Sequence, residues 1–301
     1  MSEATTTHRY SPADDAPDTL VLPDGRTLAW WEFGDPAADT VVLNCHGGLM
    51  DGRDVALADE VARERGIRIL SPDRPGVGGT SRAGHAGMLP WVHSDVRPLL
   101  AHLGVTRCAV MGWSEGGQYA LAVAHELPAQ VTRAAVIAGA LPLDDPQNRA
   151  HLNRPDRRLA ALSEHAPTLA HAYFAAARRM GRRVPERFAA ASARVLDATD
   201  QEVIRTHEQW FVTSALGAMD DLGGATDEYR VFVASWGFAP EEVAVPVDVH
   251  QGSADQLIEP AWAEELAARL PQGRLIRWPG EGHFIAVTRR PEILEWLVAD
   301  A

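Results

Sequence analysis

Apolar positions along this chain fall into two rhythms, and their order predicts the architecture. Short runs of Val, Leu, Ile and Ala, bounded by Gly, Pro or Asp, alternate with stretches whose apolar residues recur every three or four positions. Strand-length runs alternating with helical stretches imply an α/β protein, a mostly parallel sheet with helices on both faces. Residues 19–22 and 26–33 flank Pro23-Asp24-Gly25 and read as a hairpin turning at Asp-Gly. Further strands are expected at 40–44, 67–70, 108–111, 134–138, 246–250 and 274–278. Helices are expected at 56–64, at 90–103 with Gly104 as its stop, after Gly116, at 261–270 and at 291–298.

Between 141 and 243 the strand signals vanish, and Ala, Arg, Glu and aromatic residues recur at helical spacing. This stretch reads as a helical insertion that divides an α/β core into 19–140 and 244–301. The first 18 residues are polar and acidic and are expected to be disordered.

The local pattern also carries chemistry. Gly112-Trp113-Ser114-Glu115-Gly116 fits G-x-S-x-G at a strand-to-helix junction. There the glycines leave room for a sharp turn that lifts the serine hydroxyl above the sheet edge, at the positive end of the next helix. A general base must be a histidine that a loop can bring to that hydroxyl. Of 12 histidines, His283 follows an expected strand, stands between Gly282 and Phe284, and precedes the last helix.

Four segments together resemble the α/β-hydrolase superfamily over nearly the whole chain from Thr19. They are His46-Gly47-Gly48, Asp73-Arg74-Pro75-Gly76-Val77-Gly78, the turn around Ser114, and Gly280-Glu281-Gly282-His283-Phe284. The resemblance implies a triad in the chain order Ser, Asp, His: Ser114 as nucleophile, His283 as base and Asp255 as the acid that holds the imidazole. Asp255 follows the strand at 246–250, and one helix and one strand fit between it and His283. Asp248 lies inside that strand, and Asp144 and Asp145 are alternatives because some relatives draw the acid from there. The oxyanion donors are expected to be the amides of Glu115 and Gly48, with Leu49 next. His46 is expected to be structural. The insertion would form a lid over an apolar pocket that takes a small or medium uncharged acyl compound. Phe174, Met219, Phe232 and Phe238 are candidates for its wall, and Trp113, Trp210, Phe211, Trp236 and Phe284 are the residues selected. The expected reaction is hydrolysis of an acyl ester through an acyl-enzyme, with no metal or organic cofactor. The same triad could serve amide or C–C bond hydrolysis, lyase chemistry or acyl transfer, or the pocket could sense a ligand with little turnover.

Two features bear on related activities. Position 114 is Ser, whereas epoxide hydrolases and haloalkane dehalogenases use Asp, and His-Gly-Gly-Leu-Met replaces the His-Gly-Gly-Pro-Gly of prolyl aminopeptidases. Glu115 is an unusual charge beside a nucleophile.

Composition narrows the rest. The 301 residues carry 41 acidic and 28 basic side chains, a net charge of −13, which argues against nucleic-acid partners. Every basic residue among them is Arg, so Schiff-base, pyridoxal-phosphate and phosphate-loop lysine chemistry is excluded. Gly76-Val77-Gly78-Gly79-Thr80-Ser81 lacks the third glycine of a dinucleotide loop and reads as structural. The run Arg178, Arg179, Arg182, Arg183 reads as a solvated helix face. The two cysteines, Cys45 and Cys108, fall on expected strands and read as buried free thiols. No apolar run is long enough to span a bilayer, and the start lacks a secretion-signal pattern, so the expected setting is cytoplasmic. The implied partner is a small-molecule substrate, without membrane insertion, and the pattern does not encode an oligomeric state.

Overall fold

A computed structural model describes residues 16–84 and 87–299, so most of the segment 1–18 lies outside the described residues. Eight strands form one sheet: β1 (Asp18–Val21), β2 (Thr27–Gly34), β3 (Thr40–Cys45), β4 (Ile67–Pro72), β5 (Cys108–Trp113), β6 (Val131–Ile137), β7 (Val247–Gly252) and β8 (Gly273–Trp278). Their order across the sheet is β1-β2-β4-β3-β5-β6-β7-β8. The β1–β2 and β2–β4 pairs are antiparallel, and all others are parallel. β5 is buried at all six positions, as expected of a strand covered on both faces.

The strand order reverses between β3 and β5. β3 leads outward to β4 on one side, and the chain then returns to place β5 on the other. Loops leaving such neighbours diverge and open a crevice at the carboxyl ends of the strands, where α/β proteins bind ligands. His46-Gly47-Gly48 leaves β3 at this crevice, and Ser114 leaves β5.

Helices α1 (Asp59–Glu64), α2 (Met88–Trp91), α3 (Arg97–His102) and α4 (Gly116–Glu126) fall within the first half of the core. The helix expected at 90–103 is interrupted by a π-turn, Val92–Val96. Pro98 has no N–H to give to Ser94, and the wider turn ahead of it redistributes the ladder, with Arg97 N–H reaching Val92 O. The turn also buries Asp95, which pairs with Arg26 at 2.7 Å.

Between β6 and β7 lie α5 (Pro146–His151), α6 (Arg154–His165), α7 (Pro167–Arg183), α8 (Pro185–Ala193), α9 (Ala198–Thr206), α10 (Glu208–Ala218) and α11 (Leu222–Phe232). Their boundaries follow local rules. Proline occupies the first turn of α5, α6, α7 and α8, where its missing N–H costs nothing. Asp145, Asn153, Asp197 and Asp221 cap α5, α6, α9 and α11 through side-chain oxygens. These helices dock on the loops that follow parallel strands. Trp210 Nε1 of α10 donates to Arg53 O at 2.9 Å, and Ser214 Oγ donates to Asp51 Oδ1 at 2.8 Å. The core closes with α12 (Pro260–Arg269), α13 (Ile285–Thr288) and α14 (Arg290–Val298).

Candidate active site

Ser114 stands between β5 and α4 with φ of 55°, the left-handed region that costs a non-glycine residue about 1–3 kcal/mol. The surroundings enforce it. A Cβ on Gly112 would lie 2.0 Å from Gly116 O, and one on Gly116 would lie 2.0 Å from Cys45 O. No side chain fits at either position, so strand and helix approach closely enough to hold the serine on a tight corner. Ser114 N–H donates to Ile137 O at 2.8 Å, and Gly117 N–H donates to Ser114 O at 3.0 Å.

His283 is held on three sides. Its Nδ1 lies 2.9 Å from Asp255 Oδ2, and both side chains are buried. Trp113 Nε1 donates to its carbonyl at 3.0 Å. Asp200 of α9 accepts from its amide at 2.7 Å and from the Phe284 amide at 2.8 Å. Burial alone would lower the imidazole pKa, but the charge and hydrogen bond of Asp255 outweigh it and raise the value above 6.5. Asp255 is itself saturated with donors. Gln251 Nε2 reaches Oδ2 at 3.0 Å, and the Leu257 and Ile258 amides reach Oδ1 at 2.8 and 3.0 Å.

His46 is a structural residue. Arg74 N–H donates to its Nε2 at 3.2 Å, which leaves the proton on Nδ1 for Gly47 O at 3.0 Å. Burial and the Arg74 charge keep the ring neutral by lowering its pKa well below 6.5. The loop it shapes continues into Leu49, which has φ of 53°.

Gly48, Leu49, Ser114, Glu115 and His283 all line one cavity of about 230 Å³. Its wall is largely apolar and includes Trp113, Phe174, Phe211, Met219, Phe232 and Phe284. Two of the residues selected from sequence do not line it. Trp210 is fully buried, with its indole N–H turned to Arg53 O, and serves to dock α10 on the core. Trp236 donates to Gln118 Oε1 at 2.9 Å and, with Phe238, borders a separate depression. Both are amphipathic side chains whose N–H group found a partner away from the cavity, and that choice set their direction.

None of the alternative acids Asp144, Asp145 and Asp248 lines the cavity. Asp248 pairs with Arg274 inside the sheet, and Asp145 caps α5. Arg178 donates to the Asp220 carbonyl at 2.9 Å and Arg182 pairs with the Asp220 carboxylate at 2.8 Å, both away from the cavity. Asp73 ties loops together, accepting from Gly52 N at 2.8 Å and Gly79 N at 3.1 Å, so its Gly-rich neighbours have a structural role. Cys45 and Cys108 are buried free thiols. Among the described residues, no group of three or more His, Cys, Asp or Glu could hold a metal, and no helix is long and apolar enough to cross a membrane.

Four polar residues at the site escaped the sequence reading: Asp200, Gln251, Asp156 and Tyr229. Asp200 and Asp156 each sit in the first turn of a helix, where an acid usually marks only a helix start. Nothing local signals that Asp200 reaches across to His283.

A model of the alpha/beta hydrolase fold matches residues 40–289 of the sequence. The chain belongs to the α/β-hydrolase family. A pimeloyl-[acyl-carrier protein] methyl ester esterase of Aromatoleum aromaticum is 31% identical over 72% of this hydrolase and 81% of its own length. A magnesium-chelatase 30 kDa subunit of Rhodobacter capsulatus is 29% identical over 90% of this chain and 91% of its own. Among solved structures, an esterase from Rhodococcus sp. superposes with a TM-score of 0.70 at 18% identity, covering 94% of this chain and 98% of its own.

Proposed function

We propose that this hydrolase cleaves a small or medium acyl ester, with Ser114 as nucleophile, His283 as base and Asp255 as the orienting acid. The observation that carries the reading is the shared cavity. A serine held in a strained corner and a histidine held by a buried carboxylate face the same apolar space. At about 230 Å³ that space is smaller than the ~300–1,000 Å³ of drug-sized pockets, which limits the acyl group it encloses. The esterase named among the relatives supports an ester over an amide or a C–C bond. The helical stretch 141–243 acts in this reading as a lid that excludes water from the cavity.

In the first step His283 Nε2 removes the Ser114 proton as the oxygen attacks the carbonyl. The resulting oxyanion is held by the amides of Glu115 and of Gly48 or Leu49, whose left-handed turn presents the loop to the cavity. His283 passes the proton to the leaving alcohol and then activates water, which releases the acid. A fluorophosphonate probe followed by intact-mass measurement tests the reading. One adduct on the native protein is expected, and a folded protein that takes none, even from a small phosphonate, overturns it.

Asp200 is a positioning residue in this scheme. Burial and the neighbouring Asp197 carboxylate push its pKa up to about 7, against the pull of the two amides it binds. Asn at this position offers one acceptor oxygen in place of two, so one amide bond to the His283 loop is lost. Asp200→Asn is expected to slow fluorophosphonate labelling about 10- to 100-fold, the cost of one charge-assisted bond left unmade. An unchanged labelling rate would show that the histidine loop is held without it.

A further inference from the structure

The cavity is apolar over most of its wall, yet its charges do not balance. Glu115 and Asp156 both line it, and neither forms an ion pair among the described residues. Glu115 is 5% exposed, and its buried Oε1 has no hydrogen-bond partner. The nearest cation, Arg74, is already engaged. Its Nε donates to Glu228 Oε1 at 2.6 Å, its remaining nitrogens donate to the carbonyls of His46 and Gly47, and its guanidinium lies 4.5 Å from the Tyr119 ring centroid. Glu115 and Glu228 thus share one guanidinium, and Asp156 adds a further negative charge acting on Glu115. A buried carboxylate oxygen without a partner is costly, and a bound cation is one way to complete it.

The rest of that wall suits a cation. Tyr229 Oη donates to Asp156 Oδ1 at 2.8 Å, and Asn153 Nδ2 reaches Oδ2 at 2.7 Å, which holds this carboxylate in place. The rings of Phe174 and Phe232 flank Tyr229 at 6.0 and 6.3 Å between centroids, and all three line the cavity. Aromatic faces beside carboxylates are the usual surroundings of a bound ammonium. The position is also specific. Glu115 directly follows Ser114, and its Oε2 lies 2.6 Å from the point that a Cβ on Gly48 would occupy. The carboxylate therefore sits against the oxyanion loop, beside the reacting carbonyl.

We propose that the acyl group taken by this site carries an ammonium one or two carbons from the ester carbonyl, bound between Glu115 and the Asp156–Tyr229 pair. The substrate class is then an aminoacyl ester, in place of the uncharged acyl compound expected from the sequence. This rests on the reading of Ser114 as the nucleophile. Burial and the Glu228 charge hold the empty Glu115 carboxyl well above the usual carboxylate range, against the pull of Arg74.

Two measurements on the intact protein test this. The first compares kcat/KM for phenylalanine methyl ester and for its counterpart without the amino group, methyl 3-phenylpropionate. The native protein is expected to favour the amino ester about 10- to 100-fold, the worth of a charged hydrogen bond, and Glu115→Gln is expected to collapse that ratio. Turnover of both esters without a preference overturns the proposal while leaving the nucleophile in place. The second is calorimetric binding of n-butylammonium against n-butanol, which needs no turnover. Preferential binding of the ammonium, lost in Glu115→Gln, supports the subsite even where Ser114 takes no phosphonate. Equal or weaker binding of the ammonium overturns it.

Discussion

Replacing Ser114 by alanine is expected to lower ester turnover by about 10⁴-fold or more and to abolish the fluorophosphonate adduct. In the proposed mechanism Ser114 Oγ is the atom that forms the acyl bond, and among the described residues no neighbouring hydroxyl or thiol on the cavity wall stands in a comparable corner. Ser192 lines the same cavity, but it lies in α8 and gives its hydroxyl to Phe188 O at 3.0 Å. Both cysteines are buried, and burial raises their thiol pKa values to about 12 for Cys108 and higher for Cys45, so neither supplies a thiolate. The fold should survive the change. Alanine at φ of 55° carries much the same backbone strain as serine, and the bonds that hold the corner are backbone bonds to Ile137 and Gly117. The check is initial-rate kinetics on an acyl ester beside a thermal melt. A variant that melts like the parent and keeps a tenth of its activity would remove Ser114 from the reaction.

The second large effect is expected at Asp255, where asparagine should lower kcat by about 10⁴-fold. The amides of Leu257 and Ile258 require an acceptor at Oδ1, so the asparagine oxygen takes that place. Its NH₂ then faces His283 Nδ1, which is forced to accept. The imidazole proton moves to Nε2, the nitrogen that takes the proton from Ser114 in the proposed mechanism. The base is lost through the wrong tautomer while its position is kept. The pH profile separates this from a general disruption. The proposed mechanism needs neutral His283, so in the native protein the rate is expected to rise with pH through a value above 6.5, set by Asp255 against burial. Without the carboxylate charge, burial dominates and the residual activity should rise at lower pH. A limb that stays in place in Asp255→Asn would mean that Asp255 does not hold the imidazolium.

What could be read from the sequence is what depends on short stretches of chain. The period of apolar residues marked the eight strands, most plainly those such as β5 that are buried on both faces and must be apolar whatever surrounds them. The corner at Ser114 was legible because Gly112 and Gly116 answer a steric demand that arises within five residues of chain, although the approach of Cys45 O completes it. His283 and Asp255 stood out because each follows a strand at the carboxyl edge of the sheet. β5 nevertheless runs two residues past its expected end, since Gly112 and Trp113 still pair with Val136 and Ile137 of β6. The π-turn at Val92–Val96 answers a proline in the next helical turn, and period alone did not show it.

The helices between β6 and β7 mark the limit. Their existence follows from spacing, and their ends from prolines and capping acids. Which of their side chains face the cavity does not, because a helix that is apolar on most of its surface can turn any of those faces inward. Phe211 lines the cavity while its neighbour Trp210 is held by Arg53 O. Asp200 and Asp156 look alike as first-turn acids, and only the packing of α9 and α6 gives one the His283 loop and the other a place on the cavity wall. Glu115 shows the same division within a single residue. Its amide follows the nucleophile by local geometry, whereas its unpaired carboxylate acquires meaning from Arg74, Glu228 and Asp156, which lie elsewhere in the chain. Backbone conformation is set by neighbours in sequence; the electrostatics of a buried group are set by neighbours in space.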